Sequence, residues 1–157
     1  MLSTVWLLSN DESYRRVADR FGLSKGSLHH IFLSVCQVFQ SIDNIKWPSQ
    51  EQMSVSASIF CEKFGIPGII GCIDGCHIPI KGKSKDRSSF INRKGFSSIV
   101  LQCICNEQMI FIDAFAGWPG SVHDARVFRN SPIIAEMEKL NADMHVLGDS
   151  AYPLSLS

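Results

Sequence analysis

The 157-residue sequence predicts an α/β protein, a mixed sheet preceded by an all-α unit. Three observations carry that prediction. Apolar residues recur at helical spacing as far as Phe64, and the pattern changes to strand-like runs after Gly65-Ile66-Pro67-Gly68. A helical connection then separates the last apolar run, Val146-Leu147-Gly148-Asp149, from the runs before it.

The first unit, residues 1–46, reads as helices. Leu2 to Leu8 is a supporting helix, and Tyr14, Val17, Ala18 and Phe21 share one face of a second, after the capping candidates Asn10 and Asp11 and before the stop at Gly22. A third begins after Ser24 and gathers Leu28, Ile31, Phe32, Val35, Val38 and Phe39. Two amphipathic helices joined by Gly22-Leu23-Ser24 make a helix-turn-helix candidate. The early exposed positions of its second helix, Lys25, Ser27, His29 and His30, are candidates for phosphate or base-edge contact. Helix hairpins also form for packing alone, and this segment is nearly neutral.

Residues 47–68 read as a joint at Trp47-Pro48 and a helix from Ser49 to Phe64, with Ser49 and Gln52 as a capping box. The segment 69–157 carries the strands. Ile69 to Ile80 is a strand broken around Asp74-Gly75, Ser98 to Cys105 a second, and Met109 to Phe115 a third. The short turn between the second and third predicts an antiparallel pair. Gly117-Trp118-Pro119-Gly120 reads as a loop that aims Asp124, Ser121 as the cap of a helix from Val122 to Asn130, and Ser131-Pro132 as the start of another to about Leu140. His145 to Asp149 is a short buried strand.

Three antiparallel strands, a helical crossover and a fourth strand make the beginning of a ribonuclease-H-like sheet, in which the first and fourth strands are neighbours. Asp74 and Asp149, each ending an apolar run, then lie side by side, and Asp124 opens the intervening helix. A carboxylate in such a place is costly unless it is paired, hydrogen-bonded or holding a metal. Oxygen ligands suit a hard cation, Mg²⁺ or Mn²⁺, and two-metal nucleic-acid cutting is the chemistry they imply. Asp-Gly is also a common turn pair, and carboxylates also cap helices, so turn and cap roles compete. His77 and His123 flank the acids as candidates for holding phosphate or orienting a ligand, with a structural donor role as the alternative.

Hydrophobic residues make up 45% and charged residues 19%, and no apolar run reaches bilayer length, which predicts a soluble globular protein without a membrane partner. The first residues lack the form of a secretory signal. Six cysteines, Cys36, Cys61, Cys72, Cys76, Cys103 and Cys105, lie mostly in apolar runs and read as buried reduced thiols; their spacings do not fit zinc knuckles. Net charge is zero, but Lys81, Lys83, Lys85, Arg87, Arg93 and Lys94 face only Asp86 between residues 81 and 94. From Asn106 to Asp149 seven acids outnumber Arg126, Arg129 and Lys139. A basic loop beside an acidic pocket suits a polyphosphate substrate, with Asn92, Arg93 and Lys94 as backbone-phosphate contacts; a solvated loop is the plainer alternative.

Four segments in order carry a family resemblance: Gly71-Cys72-Ile73-Asp74-Gly75-Cys76-His77-Ile78-Pro79-Ile80, Phe90-Ile91-Asn92-Arg93-Lys94-Gly95, Trp118-Pro119-Gly120-Ser121-Val122-His123-Asp124 and Leu147-Gly148-Asp149-Ser150-Ala151-Tyr152-Pro153. Together they resemble the PIF/Harbinger transposases and the Harbinger-derived nuclease of animals, and Ser13 to Phe39 resembles the helix-turn-helix that precedes the catalytic domain there. The resemblance implies DNA cutting with a divalent cation held by a DDE set of acids. Asp74 matches the first acid, Asp149 the acid of the fourth strand, and Asp124 the histidine-aspartate motif. A closing glutamate is expected on a later helix, past Ser157, so an incomplete sheet with an open, self-associating edge is expected. The implied partners are DNA and a Myb-like DNA-binding protein, and the implied location is the nucleus, with the cytoplasm second. A DNA-binding or partner-binding remnant without catalysis is the alternative function.

Overall fold

The computed structural model describes residues 1–42, 45–81 and 87–153. The chain forms two compact units, Met1–Asn44 and Ile45–Ser157.

The first unit holds α1 (Leu2–Ser9), α2 (Tyr14–Arg20) and α3 (Lys25–Ser41). α2 is capped by Ser13, whose hydroxyl accepts from the Arg16 amide, and not by Asn10 or Asp11; Asn10 instead closes the end of α1. Ser24 caps α3 through the Ser27 amide at 3.0 Å. Between them Gly22 turns with φ +62°, a conformation that side chains resist. Val17, Ala18 and Leu28 are buried, with Trp6, Leu7, Tyr14, Phe21 and Leu23 packed around them. The expected apolar face of α3 is only partly used, since Val38 and Phe39 remain exposed.

The second unit begins with α4 (Gln50–Phe64), whose capping box between Ser49 and Gln52 forms as expected and whose end is set by Gly65 at φ +73°. It packs on β1 (Ile69–Pro79). That strand is unbroken. Asp74 pairs with Cys103 and Gly75 with Gln102, so the Asp-Gly pair lies within a ladder and makes no turn. After α5 (Arg87–Phe90), β2 (Ser98–Cys105) and β3 (Phe111–Pro119) form the expected hairpin. β3 runs on through the segment read as a loop. Leu101 pairs with Ala116 and Val100 with Trp118, so Gly117, at φ +120°, is the extra residue of a bulge that lets pairing continue.

The crossover consists of α6 (Asp124–Arg129) and α7 (Ile133–Met137), both shorter than the sequence suggested. His123, not Ser121, is the residue before α6, and it makes no side-chain cap bond. β4 (His145–Leu147) closes the order β3-β2-β1-β4, parallel to β1, while the other pairs are antiparallel. This is the expected ribonuclease-H-like arrangement. One core cluster joins Ile73, Ile104 and Ile112 of the sheet to Phe128 and Ile133 of the crossover, which fixes the helices over the same face.

Candidate metal and nucleic-acid site

The site grows from the parallel pairing of β1 and β4. Gly71 aligns with Val146 and Cys72 with Leu147. Two residues further along come Asp74, in the middle of β1, and Asp149, just past the end of β4, so the alignment carries the two acids alongside each other. Each is braced by its own backbone: Asp74 Oδ1 accepts from the Gly75 amide at 2.7 Å and Asp149 Oδ1 from the Ala151 amide at 2.9 Å. Among the described residues the second oxygen of each carboxylate accepts no hydrogen bond.

Asp124, in the first turn of α6, approaches β1 at Gly75, the residue after Asp74. Its Oδ1 lies 2.6 Å, and the Tyr152 hydroxyl 3.5 Å, from where a side chain on Gly75 would begin. Only a glycine at that position lets the carboxylate lie against β1. Tyr152 follows Asp149 and stacks edge-on against Phe128 at 5.7 Å. Its buried hydroxyl has no hydrogen-bond partner among the described residues. Burial foremost, and then the charges of Asp124, Asp74 and Asp149, hold this phenol well above its ordinary range. The three sequence-nominated acids therefore act on one phenol.

Oxygen-only donors fit the chemistry of Mg²⁺ or Mn²⁺. In the present side-chain conformations, no group of three or more metal-ligating residues among the described residues closes around a common point. Of the six free cysteines, Cys61, Cys72 and Cys76 are exposed and the other three half-buried, which corrects the expectation of buried thiols. Cys72 and Cys105 are direct cross-strand partners. Burial raises both thiols, and Cys103 is pushed up to about 11 by burial and by Cys76, Cys105 and Asp113, which disfavours the thiolates a zinc site needs.

Asn92 is buried, 4% exposed, and its side chain is engaged: Oδ1 accepts from the amides of Lys94 and Phe96, and Nδ2 donates to Ser98 Oγ. It shapes a turn on which Arg93 and Lys94 stand exposed. Lys83, Lys85, Asp86 and the Arg87 side chain lie outside the described residues. In the first unit Lys25, Ser27, His29 and His30 are all exposed at the start of α3. Ser27 shares a 2.9 Å hydroxyl contact with Ser24, and the His29 ring lies 5.9 Å from Tyr14.

Three polar residues escaped sequence reasoning. Gln102 pairs with Gly75, is fully buried, and has neither amide atom hydrogen-bonded among the described residues. Ser98 joins Asn92 to His77. Tyr152 stands among the acids. A signal for Gln102 was present, as a polar residue at an inward position between Val100 and Ile104.

An acid within β1 and another just past β4, its parallel neighbour, on a sheet of this order, fit a DDE-type nuclease domain of transposase origin. The chain belongs to the DDE superfamily endonuclease family, which matches residues 73–156. It is similar to HARBI1, a candidate nuclease by name, from Homo sapiens, with 26% identity over 97% of this chain and 45% of that protein. The Bos taurus HARBI1 is 28% identical over 97% of this chain and 45% of its own length. Protein ALP1-like of Arabidopsis thaliana is 28% identical over 94% of this chain and 40% of its own. The chain thus spans less than half the length of these relatives. No solved structure matches it significantly.

Proposed function

We propose that the protein is a divalent-cation-dependent DNA endonuclease that hydrolyses phosphodiester bonds by a two-metal mechanism and acts in the nucleus. The observation that carries this reading is the β1–β4 register, which brings Asp74 beside Asp149 while Asp124 lies against Gly75. Asp74, Asp124 and Asp149 would hold Mg²⁺ or Mn²⁺. Such cations, when bound, make an attacking water more acidic and offset charge on the leaving 3′ oxygen. Asp74, as the acid that would bridge both cations, is the least replaceable. Arg93 and Lys94, on the turn that Asn92 shapes, hold the strand by its phosphates. Lys25, Ser27, His29 and His30 offer a second contact surface on the helical unit, at the position a helix-turn-helix uses for DNA.

Supercoiled plasmid incubated with Mn²⁺ tests the proposal. The expected result is nicking that Asp74→Asn abolishes and Asp124→Asn reduces by at least about tenfold, in line with the loss of a cation ligand. Nicking that survives Asp74→Asn rejects it. A second reading is a DNA-binding or partner-binding protein without catalysis. Plasmid binding without any nicking selects that reading.

A further inference from the structure

Ser98 is fully buried at the meeting point of three segments that carry the family motifs. Its carbonyl accepts from the Gly120 amide at 2.8 Å, in the stretch leading to Asp124, and a side chain on Gly120 would fall on its hydroxyl. That hydroxyl lies 2.9 Å from Asn92 Nδ2 and 3.1 Å from His77 Nδ1. Chemistry fixes the first of these directions. Asn92 Oδ1 accepts from the backbone amides of Lys94 and Phe96 at 2.9 and 3.3 Å, which identifies the other end of that side chain as the amide donor. Ser98 Oγ accepts from Asn92 and has its own proton to give to His77 Nδ1.

An imidazole that accepts at Nδ1 carries its proton on Nε2. Among the described residues no protein acceptor takes that proton. His77 is half-buried and lies two residues beyond Gly75, so both project to the same face of β1, the face against which Asp124 lies. The Asn92 side chain thus has two tasks. One end shapes the turn bearing Arg93 and Lys94; the other sets the histidine.

We propose that His77 is a substrate-binding residue, whose Nε2–H, selected by the chain from Asn92 through Ser98, donates to a phosphate oxygen of a nucleic-acid strand at the acidic centre. This rests on the nuclease reading above. A phosphodiester offers two non-bridging oxygens and one negative charge. The neutral donor and the neighbouring cations match that without adding to the acids.

Nitrogen-15 NMR of the full chain, with a short DNA duplex as probe and fluorescence anisotropy for affinity, tests the inference. The free protein is expected to show His77 with bare Nδ1 and protonated Nε2 at neutral pH, and Ser98→Ala to mix the two tautomers. The Nε2–H signal should move when duplex is added. His77→Phe should weaken binding by about tenfold, the loss of one hydrogen bond to a charged acceptor, and His77→Gln, which keeps an N–H at similar reach, should restore most of it. A proton found on Nδ1, or an Nε2–H signal that stays put while the protein binds duplex, overturns the inference and leaves the nuclease reading standing. Failure to bind duplex at all overturns both.

Discussion

Gly75 has the sharpest role at the scale of single residues. A methyl there would sit 2.6 Å from Asp124 Oδ1 and 3.0 Å from its Cγ, and both atoms belong to the end of a side chain that can swing away. Gly75→Ala should therefore move Asp124 and spare the fold. We expect Mn²⁺ affinity, measured by calorimetry, to fall by about ten- to a hundredfold, the range seen when the support of a metal ligand is lost. The urea midpoint should change little. Equal Mn²⁺ affinity in the two proteins would mean that Asp124 holds no cation. Asp74 and Asp149 were legible because an acid closing an apolar run is conspicuous. Their supports were not. Ser98, Gln102 and Tyr152 look in sequence like ordinary strand or turn residues, and only cross-strand register reveals that Ser98 reaches His77 and that Gln102 faces Gly75.

Among the elements, β3 carries a titratable group that ought to make stability depend on pH. Asp113 pairs with Ile104, its Oδ2 is buried without a partner among the described residues, and burial raises its carboxyl above the usual range. In the folded state it therefore keeps its proton to a higher pH than in the unfolded state. Between the unfolded value, near pH 4, and the raised folded value, the native protein binds more protons, so this group's contribution falls as pH rises. Asp113→Asn should gain on the parent in urea denaturation as pH goes from about 4 to 7. A gap that does not widen with pH would place the charge in water. Elements of strong period, such as α4 with its capping box and the β2–β3 hairpin, could be read directly. β1 was read as broken and β3 as ending too early for one reason: Asp-Gly and Gly-Trp-Pro-Gly are turn signals locally, and tertiary pairing overrides them. In β1 both residues join the ladder, and in β3 Gly117 absorbs a bulge.

For the whole molecule, the deciding quantity is charge placement. Net charge is zero, so no global attraction to DNA exists, and affinity must come from a few local cations. Each phosphate neutralised by such a cation contributes about 0.9 to the slope of log affinity against log salt. Arg93 and Lys94 stand exposed on one turn, while Lys25 stands exposed on the helical unit. Replacing both Arg93 and Lys94 by serine should therefore make the slope shallower by about 2, whatever the DNA sequence. Lys25→Ser should make it shallower by about 1. His77→Phe behaves differently: a neutral donor displaces no counterion, so affinity falls and the slope stays. Anisotropy titrations across a series of salt concentrations separate the two kinds of contact. An unchanged slope in the Arg93–Lys94 double variant would remove that turn from the DNA surface.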